Sequence, residues 1–307
     1  MQTSLAKKHE HGKMALTVAF AVICIIYVLP ILIVLMNSFK SNAAVNTETF
    51  AFPNEDSFVG VQNYIKGMTF GNYPFWKSAF YSLFITVVSS ALILLCTSMA
   101  AWYIARVDSK LCRIIYYLCV FSMVVPFQMV MFTLSKTADR VKIPFFNFAD
   151  MAFDKVALNT PWTIPIIYLG FGAGLAIFMF LGFVKGLPKE IEEAAFVDGA
   201  GTWYTYFRIM LVNAMPAVIT VTVFSLVWQY TDSFYSQLFR IPTDMLLAKR
   251  LSTLQNNIQA NLKIMNVRIQ RLYVDAGVVL TILPLLILYL LLQRRFIEGV
   301  ERSGIVG

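Results

Sequence analysis

Histidine is nearly missing from this chain: His9 and His11 are the whole supply among 307 residues. They flank Glu10 ahead of the first apolar run, without the i, i+4 spacing that puts two imidazoles on one helix face, so no zinc site of the HExxH type follows. With no third histidine, a Ser-His-Asp relay has no base to draw on. Cysteine is scarce too. Cys24, Cys96, Cys112 and Cys119 lie within or beside apolar runs and form no CxxC pair, which leaves no disulfide or metal framework. No GxxxxGK[ST] phosphate loop occurs, so the chain does not hydrolyse ATP by that route. No catalytic residue, metal ligand or cofactor site is expected in this chain.

Charge is the second shortage. Asp, Glu, Lys and Arg make up 14% of the residues and hydrophobic types 58%, with a mean hydropathy of +0.68. A soluble globular chain carries roughly 25% charged residues, so a bilayer is the expected solvent. Six runs are long enough to cross about 30 Å of hydrocarbon, which takes roughly 20 helical residues. They are approximately Met14–Met36, Ser78–Ala105, Ile114–Leu134, Pro161–Val184, Val212–Thr231 and Ala276–Leu292. None contains an ionisable Asp, Glu, Lys, Arg or His, and none alternates as a barrel strand does. The expected fold is all-α: a polytopic membrane protein with six transmembrane helices. A tail over 1–13 precedes the transmembrane region over 14–292, and a second tail covers 293–307. The first run is too long for the apolar segment of a signal peptide, and Asn37-Ser38-Phe39-Lys40 offers no small-residue exit, so an uncleaved first span is expected.

Counting Lys and Arg does not separate the two sets of loops, but short loops weigh most. The turn Arg106-Val-Asp-Ser-Lys-Leu-Cys-Arg113 is the best inward marker and leads to both termini on the cytoplasmic side. The net charge of +8 suits basic flanks beside a membrane, and nothing points to nucleic acid. Charge-free spans carry a further message. Ion-driven carriers keep ionisable groups in the membrane, whereas the nearest acids here, Asp232 and Asp275, sit at span ends. Uphill transport would then draw its energy from another subunit.

Pro30, Pro126, Pro165 and Pro284 are expected to kink their helices. Gly170, Gly172 and Gly174 lie inside an apolar run and read as close helix packing, not as a nucleotide loop. Between spans, Phe39–Lys77 ends in the aromatic cluster Asn72-Tyr-Pro-Phe-Trp76. Ser135–Thr160 mixes Phe145, Phe146, Phe148 and Phe153 with charges, and Ser236–Tyr273 is basic with a helix-prone Leu254–Ile264.

The bridge Pro188–Gly201, PKEIEEAAFVDGAG, is the most informative polar stretch. Pro188 suits the first turn of a helix, and Glu190, Glu192 and Glu193 suit its positive end. Ala194, Ala195, Gly199 and Ala200 leave a smooth flank, and Gly199 and Gly201 allow a reversal into a second helix, Thr202 to Leu211, that carries Trp203, Tyr206 and Phe207. The pattern predicts a helix-turn-helix knob over about 188–211. It is either a docking element or an ordinary amphipathic connector.

Glu193-Ala194-Ala195, three residues, Gly199, nine residues and then Ile209-Met-Leu211 resembles the EAA loop of ABC importer permeases. The flanking Ile191 to Ala200 is similar to the carbohydrate-importer version. Where the family usually has proline, Val212 stands, and Pro216 supplies a nearby break. Asn159-Thr160, the glycine-bearing span, Trp228 and the ending Leu292-Gln-Arg-Arg-Phe-Ile-Glu-Gly299 to Gly307 are similar to the second permease subunit of maltose-type importers.

The resemblance implies a bacterial cell-membrane permease for a sugar or oligosaccharide. It implies four kinds of partner besides lipid: a homologous second permease, two cytoplasmic ABC ATPases that bind the ATP and Mg, and an extracytoplasmic solute-binding protein. Glu192, Glu193, Ala194, Ala195, Asp198, Gly199, Ile209 and Leu211 would couple to the ATPase. The C-terminal tail would reach the ATPase dimer interface, and Ser236–Thr253 would meet the binding protein. For the pathway, Gln128, Trp228, Gln229, Tyr230 and Asp232 offer aromatic, amide and carboxylate groups suited to a hydroxyl-rich ligand; interhelical packing and interfacial anchoring explain them as well. The family pattern after the tryptophan, Asn-Asp/Glu-Phe, is replaced here by Gln229-Tyr230-Thr231-Asp232. An amino-acid or peptide importer, an ion-coupled secondary carrier and a non-transporting scaffold are the other readings.

Overall fold

The computed structural model describes residues 2–69, 74–140, 164–239, 245–262 and 267–305. Its helices are α1 Gln2–Ser38, α2 Asn42–Thr47, α3 Gln62–Thr69, α4 Phe75–Arg106, α5 Lys110–Val124, α6 Phe127–Arg140, α7 Ile164–Gly186 and α8 Glu190–Val197. There follow α9 Thr202–Tyr204, a π-helical segment Thr205–Met210, α10 Leu211–Asn213, α11 Met215–Thr231, α12 Phe234–Leu238, α13 Leu247–Leu262 and α14 Val267–Ile305. Pro161–Thr163 of the expected fourth span and the aromatics between Phe145 and Phe153 lie outside the described residues.

Among the described residues four stretches are long and apolar enough to cross a membrane unbroken: Lys13–Ser38, Phe75–Arg106, Ile164–Gly186 and Gln270–Arg294. Two bent pairs bring the number to six, if each is one span. Lys110–Val124 and Gln128–Thr137 meet at 110°, and Thr202–Asn213 and Met215–Thr231 meet at 81°. The third expected span is therefore not one kinked helix. Pro126 cannot donate a backbone hydrogen bond, and Val125 before it adopts the extended conformation (φ −69°, ψ 116°) that a following proline favours. The long helix of the fifth expected span starts at Met215, not at Val212. Pro216 stands in the first turn of α11, where its missing N–H costs nothing, but a continuous helix would clash its ring with the Val212 carbonyl. The other prolines do not break their helices. Pro165 is the second residue of α7, and α1 and α14 run on through Pro30 and Pro284.

The chain divides into two compact units, residues 1–74 with 253–283 and residues 75–252 with 284–307. In the first, a buried lysine organises the chain after α1. Lys40 Nζ donates to Asn37 Oδ1 at 3.0 Å and to the Glu48 carbonyl at 2.7 Å. Asn63 Nδ2 donates to the carbonyls of Ser38 and Lys40, both at 2.9 Å. Burial pulls the Lys40 ammonium below its usual range and the nearby Glu48 charge opposes that shift.

In the second unit α4, α7 and α11 form the core. Ile93 and Ala101 of α4 pack with Ala176, Ile177, Phe180 and Leu181 of α7 and with Ala217 and Val221 of α11. Small residues permit the approach, as expected where lipid gives no hydrophobic drive for helices to associate. The inner face of α4 carries Ser78, Ser82, Thr86, Ser89, Ser90, Thr97 and Ser98. Several of these hydroxyls are satisfied locally, Thr97 by the Ile93 carbonyl and Ser98 by the Leu94 carbonyl. A side chain at Gly172 would start 2.7 Å from Ile93 Cδ1, and one at Gly174 would start 2.6 Å from Ser122 Oγ and 2.8 Å from the Cys119 carbonyl. Gly172 and Gly174 serve close packing, whereas a Cβ at Gly170 would meet nothing within 4 Å.

Candidate functional site

Helix α8 begins after Lys189, one residue beyond Pro188, so the proline precedes the helix instead of opening its first turn. Glu190, Glu192 and Glu193 fill that first turn, where partial positive charge on unpaired N–H groups favours carboxylates. The helix ends in a Schellman turn. Ala200 N–H donates to the Ala195 carbonyl at 2.9 Å and Gly199 N–H to the Phe196 carbonyl at 3.1 Å. Gly199 takes φ +83°, and a Cβ there would meet nothing within 4 Å. Its role is conformational, because the left-handed backbone costs other residues roughly 1–2 kcal/mol.

The two sides of α8 differ in kind. Glu192 and Ala195 are buried against the bundle, three residues apart on one face. Glu193, Ala194, Asp198 and Gly199 are exposed, and Val197 is 86% exposed with Ile191 and Phe196 also open. Across the turn Trp203, Tyr204 and Phe207 extend this apolar surface, while Ile209 and Leu211 are half-buried. The residues singled out for coupling thus fall into an outward set and an inward one.

Glu192 is held firmly. Arg106 Nη2 lies 2.7 Å from Oε1, Arg106 Nε donates to both carboxylate oxygens at 3.1 Å, and Trp102 Nε1 donates to Oε2 at 2.9 Å. Arg106 also reaches the Leu187 carbonyl at 3.2 Å. Both side chains are largely buried. Removing either partner would strand the other, a loss on the order of 3–5 kcal/mol for a fully buried pair and less where water reaches. Val184, Tyr206, Met210 and Ala214 form a small core beneath, packed against Met99, Trp102 and Ala105. In the sequence Arg106 stands out only as an orientation marker, and Trp102 does not stand out at all. The partners are 86 residues apart along the chain, and no local pattern joins them.

The five pathway candidates disperse. Trp228 and Gln229 line a cleft between α4, α7 and α11 with Ile93, Tyr168, Phe171 and Ser225. Gln229 Oε1 accepts from Ser90 Oγ at 3.1 Å. Tyr230 is buried and Gln128 is exposed on α6, and neither lines the cleft. Asp232 is a cap. Its carboxylate accepts from the N–H groups of Phe234, Tyr235 and Ser236 at 3.1, 3.1 and 3.3 Å and from Tyr168 Oη at 2.7 Å. Burial pushes this carboxyl above its usual range, and the same four donors pull it back. Asp232→Ala leaves those donors unpaired and is expected to cost about 1–3 kcal/mol; thermal unfolding in detergent measures this, and Asp232→Asn, which keeps an acceptor, should lose less.

Bounded by this chain alone, the cleft leaves about 30 Å³ in which the centre of a water-sized molecule can move. A pathway for anything larger needs a second wall.

The family model for the binding-protein-dependent transport system inner membrane component matches residues 93–302, and the chain belongs to that family. It is similar to the probable starch degradation products transport system permease protein AmyC of Thermoanaerobacterium thermosulfurigenes, 28% identical over 97% of this chain and 99% of that one. It is also similar to the diacetylchitobiose uptake system permease protein NgcG of Streptomyces coelicolor, 27% identical over 91% of this chain and 84% of the relative. Among solved structures, a bacterial ABC transporter involved in the import of the acidic polysaccharide alginate shares the fold with a TM-score of 0.73 at 17% identity, over 92% of this chain and 95% of that one.

Proposed function

We propose that this permease forms half of the translocation pathway of an ATP-driven bacterial importer for a sugar or oligosaccharide. Both termini and the α8–α10 protrusion face the cytoplasm, the outward side of α8 seats in an ATPase subunit, and a homologous permease supplies the second wall of the cleft. Two ATPase copies bind the ATP and Mg, and an extracytoplasmic binding protein delivers the cargo, meeting the stretch around Ser236–Thr253. Glu193, Ala194, Val197, Asp198 and Gly199 form the seated surface. Glu192 and Ala195 fasten it to the bundle, and Trp228 and Gln229 are this chain's contribution to the pathway.

The observation that carries the reading is the two-sided character of α8. Its inner side spends a charge on internal bonds, and its outer side leaves valine, phenylalanine and isoleucine uncovered by the rest of the chain. An apolar patch rimmed by acids is the signature of a docking surface. For the cargo, the support is the names of the relatives, which include starch degradation products, diacetylchitobiose and arabinooligosaccharides. A polar solute also suits a wall that offers Trp228 for stacking and Gln229 and Ser225 for hydrogen bonds.

The test is uptake into liposomes holding the co-purified complex, with a panel of labelled oligosaccharides, amino acids and short peptides. Uptake of one oligosaccharide that requires both ATP and the binding protein is the expected result. Peptide or amino-acid uptake would overturn the cargo assignment. Uptake by this chain alone under a proton gradient would establish a secondary carrier instead.

A further inference from the structure

Helix α4 meets the protrusion along a single row. Ser98, Trp102 and Arg106 stand four residues apart, so their side chains share one face over about 12 Å of helix. Ser98 Oγ and Tyr206 Oη share a hydrogen bond of 2.7 Å, and the Trp102 and Tyr206 rings lie 5.7 Å apart. Trp102 Nε1 and the Arg106 fork then take the Glu192 carboxylate. The row grips both arms of the protrusion at once, α8 through Glu192 and the π-helical segment through Tyr206.

The covalent routes from the protrusion into the bundle are weaker links. Leu187-Pro188-Lys189 separates α7 from α8, and an 81° break separates α10 from α11. Helix α4 runs 32 residues with neither proline nor glycine. Two turns from Ser98 it carries Ser90, bonded to Gln229, and between them Ile93 forms part of the cleft wall.

We infer that Trp102 and Arg106 are positioning residues that tie the protrusion to α4, so that displacement of α8 by an ATPase reaches the cleft through α4. This rests on the proposed docking of α8. A buried bidentate pair suits such a tie, since the guanidinium fork fixes both distance and angle.

The test uses the whole importer in liposomes: this chain, the second permease, the ATPase pair and the binding protein. Uptake of the transported oligosaccharide, ATP hydrolysis and the amount of ATPase co-purifying with this chain are read together. Glu192→Gln is expected to raise the ATP hydrolysed per sugar imported by roughly tenfold, within the range of coupling between sites, with co-purification unchanged. Arg106→Glu combined with Glu192→Arg should recover part of that loss, which neither single change does. Where Glu192→Gln fails to assemble, Trp102→Phe carries the same measurement with a smaller rise, because it removes one N–H and keeps the ring against Tyr206. An unchanged ratio in an assembled variant, or a charge reversal no better than Glu192→Arg alone, overturns the tie while leaving docking intact. A wild-type chain that never binds the ATPase overturns the docking reading, and the tie falls with it.

Discussion

Val197→Asp is expected to stop sugar uptake and to strip the ATPase from the purified complex, while the permease itself unfolds at the same temperature as before. The side chain is 86% exposed in the isolated chain, so its replacement removes little that holds this fold together. In the docked state it would be buried. Losing the transfer free energy of a valine is worth about 2–3 kcal/mol, or roughly 30- to 150-fold in affinity, and desolvating the new carboxylate adds to the loss. Val197→Ala removes two methyl groups without a charge and should weaken co-purification by a smaller factor. Wild-type levels of bound ATPase and uptake in the aspartate variant would place the docking surface elsewhere. Glu193, the most recognisable acid of the loop, is a weaker test, because a rim charge chiefly changes association rate and salt dependence.

The second large effect belongs to Gly174. A leucine there begins 2.6 Å from Ser122 Oγ and 2.8 Å from the Cys119 carbonyl, and the latter is backbone that cannot rotate away. Helices α5 and α7 would have to separate. Overpacking of this kind typically costs about 1–3 kcal/mol, with larger losses where the backbone must move. A Cβ at Gly170, one turn earlier on the same helix, would meet nothing within 4 Å, so Gly170→Leu should behave like wild type. The pair is measured by unfolding temperature and by the monodisperse fraction after extraction in detergent. Equal behaviour of the two variants would remove the close-packing account.

These two positions show what a sequence displays and what it hides. Gly170, Gly172 and Gly174 look alike in the chain, and their common apolar setting already argues for packing. Which of them touches a neighbour depends on where α4 and α5 lie, since Gly172 faces Ile93 of α4 and Gly174 faces Cys119 and Ser122 of α5. The 110° bend between α5 and α6 is a second such case. The proline that makes the bend is visible at Pro126, yet a proline is equally visible at Pro30, Pro165 and Pro284, where the helices are not broken. The residue type states that a hydrogen bond is lost; the surroundings determine whether the helix ends, bends or continues.

The Pro188–Gly201 stretch divides in the same way. Acidic residues at 190, 192 and 193 before Ala194-Ala195, with a glycine at 199, suffice to predict a short helix closed by a left-handed turn, because capping and dipole effects act within one or two helical turns. The opposite duties of Glu192 and Glu193 are not visible there. Adjacent residues on a helix point about 100° apart, so one of them faces the bundle, and the sequence does not say which. Arg106 and Trp102 settle it. Asp232 teaches the converse lesson: a carboxylate read as a possible ligand group is already engaged by three backbone N–H groups and a tyrosine hydroxyl.

What the sequence alone determined is the solvent, the helical class, the candidate spans and the family signature of the loop. Each depends on residue type and on spacing within a few turns, and a bilayer punishes unpaired backbone and charge wherever they occur. What only the tertiary structure decided is which side of α8 is bonded inward, which glycine is in contact and which pathway candidates share a cleft. Those are properties of pairs brought together across 64, 86 and 139 positions of chain: Tyr168 with Asp232, Arg106 with Glu192 and Ser90 with Gln229. Their energy depends on distances of a few ångströms that no single residue encodes.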